Sequence, residues 1–151
     1  MMARVPRLLV VHHTPSPAMQ ALLEAVREGV ALVEEVELVV RPALSAGPAD
    51  VLAADGILLG TPANIGYMSG ALKHFFDTVY YPCLDATVGL PYGVYVHGND
   101  DPAGALNAIA KITGGMRWKQ VAAPLGLVGA PGPADLEACR ELAATVAVTL
   151  T

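Results

Sequence analysis

The stretch from Gly60 to Asp77 constrains this chain more than any other: Gly-Thr-Pro-Ala-Asn-Ile-Gly-Tyr-Met-Ser-Gly-Ala-Leu-Lys-His-Phe-Phe-Asp. It follows Gly56-Ile57-Leu58-Leu59, a short apolar run of the kind that forms a strand buried on both faces. It ends in apolar residues at helical spacing, Met68, Leu72, Phe76 and Val79. The pattern predicts a strand that feeds a loop that feeds a helix. The loop is chemically distinctive: Pro62 fixes its own backbone, Gly66 and Gly70 permit conformations or close approaches barred to other residues, and Asn64 offers an amide. Such a loop suits a flat ligand laid against backbone.

These residues resemble the Gly-[Ser/Thr]-Pro-x-x-x-Gly-x-Met-Ser-Gly-x-Leu-Lys-x-Phe-x-Asp segment of the flavodoxin-like NAD(P)H-dependent FMN reductases and quinone reductases. In that family the loop lies against the isoalloxazine ring of FMN. The resemblance therefore implies that Thr61, Pro62, Ala63, Asn64, Ile65 and Gly66 form one wall of a flavin slot.

The rest of the chain fits an α/β protein. Leu8 to Val11, Val36 to Val40, Gly56 to Leu59 and Tyr92 to His97 read as strands, and Lys119 to Ala123 with Leu125 to Val128 as a last strand broken by Pro124. Helical periodicity runs through Met19 to Val30, Ala49 to Ala54, Met68 to Val79, Leu106 to Ile112 and Leu136 to Leu150. Asp101 suits an N-cap with Pro102 in the first helical position, and Gly114-Gly115 a helix end. Tyr80 to Asp85 shows no clear period and reads as irregular. Strands alternating with helices give a doubly wound, three-layer α/β/α parallel sheet with right-handed crossovers. The resemblance selects a flavodoxin-like five-stranded sheet of order 2-1-3-4-5, in a single domain over residues 1–151. Its switch point would place a ligand where the loops after strands one, three and four converge.

Hydrophobic residues make up 54% of the 151 and charged residues 15%, an excess that a sheet covered on both faces absorbs in part and a homo-oligomer interface, in a dimer or larger assembly, absorbs further. The net charge of −5, with scattered Lys and Arg, argues against nucleic acid. Cys83 and Cys139 sit in no metal-ligand or Cys-x-x-Cys spacing and read as ordinary thiols. No apolar run approaches the roughly 20 residues of a membrane span, so a cytoplasmic protein is expected, without membrane partners.

A flavin mononucleotide needs a cradle for its phosphate, normally exposed N–H groups at a helix N-terminus. The loop after the first strand has that location. In the resembling family it reads His-Ser-x-Thr-Gly-Asn-Thr, matched here by His13-Thr14-Pro15-Ser16-Pro17-Ala18-Met19. Thr14 and Ser16 keep hydroxyls, but Pro17 removes an N–H, and Ala18 and Met19 remove polar side chains. FMN is therefore expected to dock here more weakly than in a typical member. His97, Gly98 and Asn99 supply the loop opposite Thr61 to Gly66.

The redox chemistry would be the flavin's own, so no protein acid, base or nucleophile is assigned. Tyr67, Tyr80 and Tyr81 read chiefly as packing, His74 and the Lys73/Asp77 pair as solvated, and Trp118 as core or interface. His12 and His13, adjacent at a strand end, point to opposite faces and do not make a metal site. The resemblance implies electron transfer from NAD(P)H to a quinone, flavin or similar small acceptor. A flavodoxin-type electron carrier and a flavin-free domain are the competing expectations. The residues required by a phospho-accepting receiver domain or by a dinucleotide-binding Gly-x-Gly-x-x-Gly loop are absent.

Overall fold

The computed structural model describes residues 4–151. Its elements in chain order are β1 (Arg7–His12), α1 (Pro17–Ala31), β2 (Glu37–Pro42), α2 (Pro48–Leu52), β3 (Gly56–Asn64), β4 (Tyr67–Met68), α3 (Gly70–Cys83), β5 (Pro91–Gly98), α4 (Ala103–Gly115), β6 (Lys119–Gln120), β7 (Leu125–Val128) and α5 (Pro133–Val148). The sheet runs β2-β1-β3-β5-β6, with β7 also on β5 and β4 folded back on β3. All pairs are parallel except β3 with β4.

Alternation along the central strands builds the layers. Leu8, Val10, Leu58 and Tyr95 pack with Met19, Leu22 and Val26 of α1 and with Cys139, Leu142 and Val146 of α5. Leu9, Val11, Ile57, Leu59, Val94 and Val96 face the other way, onto Val51 of α2, Leu72, Phe75, Phe76 and Val79 of α3, and Ile109 of α4. Both faces of β1, β3 and β5 are thus buried, as an apolar-rich parallel sheet requires. Each side chain of this kind that is fully buried contributes about 1.5–3 kcal/mol. Trp118 belongs to this second layer, against Phe76 and Tyr92, with its indole N–H donating to Thr87 Oγ1 at 2.9 Å. Both cysteines are free and buried. Among the described residues no helix is long and apolar enough to cross a membrane.

The seven strands correct the expected five in the order 2-1-3-4-5. The last strand pairs with β5 in two separate pieces, at Pro91↔Lys119 and Tyr92↔Gln120 and again from Tyr95↔Leu125 to Gly98↔Val128. The other addition is β4, which lies inside the expected loop. β3 does not stop at Leu59 but continues through Pro62 to Asn64. Pro62 is tolerated because β1 stops pairing at Gly60, which leaves β3 an edge on that side.

Two helix boundaries also differ. α3 runs on to Cys83 through the stretch expected to be irregular. Val79 and Cys83, four residues apart and both buried, continue its apolar stripe, and Pro82, in the last turn, removes one N–H from the ladder without ending it. α4 begins at Ala103, so Pro102 occupies the cap position; the Asp101 carboxylate still accepts the Ala103 N–H at 2.9 Å.

Candidate functional site

Three loops converge at the C-terminal edge of β1, β3 and β5. The first leads from β1 to α1. Its start is pinned by the His13 N–H, which donates to the Gly60 carbonyl at 3.0 Å. Its end is set by Ser16, whose extended backbone and Oγ cap α1 by accepting the Met19 N–H at 3.2 Å. Between them the Thr14 hydroxyl bonds His12 Nδ1 at 2.7 Å. Burial first, then the charges of Arg27 and His13, lower the His12 pKa below its ordinary 6.5, so this ring is neutral at pH 7.

The second loop is a hairpin. Asn64 pairs with Tyr67, and the two residues between them, Ile65 at φ +50° and Gly66 at φ +71°, form a turn with both central dihedrals positive. Such turns match the twist of the flanking strands. Glycine adopts this conformation freely, whereas β-branched Ile65 is a true outlier there, with its side chain wholly in solvent. The hairpin is fastened below by Thr61, fully buried, whose Oγ1 accepts the Ser69 N–H at 3.0 Å. Its one proton goes to the Pro62 carbonyl at 2.9 Å or to Ser69 Oγ at 3.0 Å. Ser69 Oγ in turn caps α3 by accepting the Leu72 N–H at 3.2 Å.

The third loop follows β5. His97 Nε2 lies 2.6 Å from the Gly129 carbonyl, and because a carbonyl only accepts, the ring proton is on Nε2. The Gly129 N–H returns a bond to the Gly98 carbonyl at 3.0 Å, locking β5 to the turn after β7.

Between these loops lie two adjoining cavities that share Ala63, Gly98 and Asn99. One, of about 290 Å³, sits against the start of α1 and is lined also by Pro15, Ser16, Pro17, Ala18, Pro62, Asn64 and His97. The other, of about 470 Å³, lies between the hairpin and α4, walled by Ile65, Gly66, Asp100, Asp101 and Gly104. Together they form a crevice at the topological switch point, where β1 and β3 are neighbours and their connections leave in opposite directions.

The fold brings most of the expected site residues to this crevice. Four line neither cavity: His13, Thr14, Met19 and Thr61. Met19 and Thr61 are fully buried. The Met19 side chain packs in the α1/α5 core, while Thr61 acts by holding the hairpin to α3. Tyr67, Tyr80 and Tyr81 also line neither cavity. Pro15, Asp100, Asp101 and Gly104 join the lining without having been singled out as site residues; the available signal was their place just beyond a strand's C-terminal end. Among the described residues no cluster of three or more His, Cys, Asp or Glu side chains could hold a metal.

The larger cavity has room for a planar heterocycle: glycines, Ala63 and Ile65 line it beside the polar Asn99, Asp100 and Asp101. The phosphate end fits less well. Pro17 at the first position of α1 has no N–H, and the Met19 N–H is already taken by Ser16.

No protein-family profile matches the chain. A flavodoxin of Aquifex aeolicus is 36% identical over 73 residues, which are 48% of this chain and 40% of the relative. An NAD(P)H dehydrogenase (quinone) of Acidithiobacillus ferrooxidans is 30% identical over 91 residues, 47% of this chain and 46% of the relative. The chain thus spans less than half the length of these curated relatives. Among solved structures, a flavodoxin from the domain Archaea superposes with a TM-score of 0.81 over 95% of this chain and 98% of that one, at 18% identity. At that identity the likeness shows the fold: the chain has a flavodoxin-like α/β fold.

Proposed function

We propose that the chain is a flavin-dependent oxidoreductase that binds FMN in the crevice and passes electrons from NAD(P)H to a quinone, a flavin or a similar small acceptor. The observation that carries this reading is the pair of adjoining cavities at the switch point, walled by a strained hairpin on one side and by the loop after β5 on the other. The similarity to a flavodoxin and to a quinone-reducing NAD(P)H dehydrogenase supports the redox class.

FMN, once bound, would supply the redox chemistry as a carrier of hydride and of single electrons. The protein's part is placement. Ala63, Ile65 and Gly66 present one wall to the ring, and Gly98 and Asn99 the other. Thr61 and Ser69 hold the first wall to α3, and the bonds between His97, Gly98 and Gly129 hold the second to the turn after β7. The same reading makes the protein a single flavodoxin-like domain, cytoplasmic and homo-oligomeric, with no nucleic-acid or membrane partner.

The flavodoxin relative, the more similar of the two by identity, favours a second reading as an electron carrier that needs a protein partner. Steady-state oxidation of NADH or NADPH by the FMN-loaded protein with a quinone present separates the two. Turnover that depends on quinone is expected. Flavin binding without turnover would favour the carrier, and a protein that stays colourless in excess FMN would be a flavin-free domain.

A further inference from the structure

We propose that the crevice recognises the ring of its ligand and not a phosphate, so that riboflavin binds as well as FMN. The inference rests on the flavin reading above and narrows the ligand class to an uncharged planar heterocycle.

An anion using the first turn of α1 would sit in the cavity beside Ser16 and Ala18. Three residues of that lining, Pro15, Pro17 and Pro62, have no backbone N–H to offer. Within the turn itself, Pro17 lacks the amide, the Met19 N–H goes to Ser16 Oγ at 3.2 Å and the Gln20 N–H to the Ser16 carbonyl at 3.0 Å. Ala18 alone of these four residues has an uncommitted amide. The Thr14 hydroxyl is engaged with His12 at 2.7 Å, and that ring, its pKa lowered by burial, brings no positive charge. Ser16 can still donate its own hydroxyl proton. The other donors that line this cavity, among them the Ser16 N–H and the side-chain amides of Asn64 and Asn99, carry no charge.

Charge points the same way. Neither cavity is lined by Lys or Arg, and the adjoining one carries Asp100 and Asp101. A dianion would therefore exchange its water for uncharged donors and a local field of the wrong sign. The ring meets no such penalty between Ala63, Ile65, Gly66 and Gly98.

The test is direct titration of the full chain with FMN and with riboflavin, followed by quenching of flavin fluorescence. The two dissociation constants are expected to agree within about threefold, with FMN undisplaced by a large excess of inorganic phosphate. FMN binding more than about threefold tighter than riboflavin, or displacement by phosphate, would overturn the inference and leave the flavin reading standing. Binding of neither flavin would overturn both. Restoring the lost donor with Pro17→Gly should tighten FMN about tenfold and leave riboflavin unchanged; an equal change for both ligands would count against the proposal.

Discussion

Gly104, in the first turn of α4, packs backbone to backbone against Gly66 at the tip of the β3–β4 hairpin. A β-carbon on Gly104 would collide with the Gly66 carbonyl, whose carbon would lie only 2.9 Å away. This contact sets the distance between the two walls of the larger cavity. Because both partners are main chain, neither can swing aside as a side chain would.

Gly104→Ala is therefore expected to push the hairpin off α4. Stability should fall by about 1–3 kcal/mol, as for other overpacked contacts. Flavin affinity should fall about tenfold or more, since a wall displaced by an ångström no longer fits a ring. Urea denaturation and flavin titration check the two effects separately.

Ile65 makes an opposite prediction. Its φ of +50° disfavours a β-branched residue, and its exposed side chain gains nothing from the core. Ile65→Asn places a residue that tolerates this conformation and should stabilise the fold by about 1 kcal/mol. The same change puts a polar side chain in place of an apolar one at the mouth of the larger cavity and should weaken flavin binding. A rise in midpoint together with a loss of affinity is the expected signature, by thermal melts and titration.

Thr61 should behave as a support. Thr61→Val keeps the shape but leaves the buried Ser69 N–H without its acceptor, which costs about 1–3 kcal/mol. Thr61→Ser retains the oxygen and should lose less. Chemical denaturation of the two variants gives the comparison.

His12 predicts a pH dependence. Its folded pKa lies below 6.5, so below that pH the unfolded chain binds more protons than the folded one. Stability is then fully present above pH 6.5 and declines as the pH falls, until the folded ring itself protonates. Asp55 acts in a lower window. The hydrogen bond from Arg4 holds its carboxyl below 3.8, and the stability it contributes is present above that value and lost further down. Denaturation midpoints between pH 7 and 5 should fall for the wild type and flatten for His12→Asn.

The fold was legible wherever burial wrote a clear period. Ile57 to Leu59 and Leu8 to Val11 declare buried strands, and Leu72, Phe76 and Val79 a helix. What escaped was local and depended on tertiary context. The hairpin closes on Ile65-Gly66, where the usual turn would carry Asn-Gly, so no turn signal marked β4. Pro62 reads as part of a loop, because nothing in the sequence reveals that β1 ends level with Gly60. Pro82 concealed the last turn of α3 although Cys83 kept the period. At the site, loop positions after strands indicated the crevice, but Met19 and Thr61, read as ligand-facing from their place in a motif, turn inward. The direction of a loop side chain depends on packing that no spacing encodes.

In the proposed complex the flavin ring enters between the hairpin and the loop after β5. Amide chemical-shift mapping of the labelled protein during FMN titration tests it most directly. The largest shifts are expected at Ala63, Ile65 and Gly66 and at Gly98, Asn99 and Gly104. Shifts concentrated elsewhere, or none at saturating flavin, would contradict it.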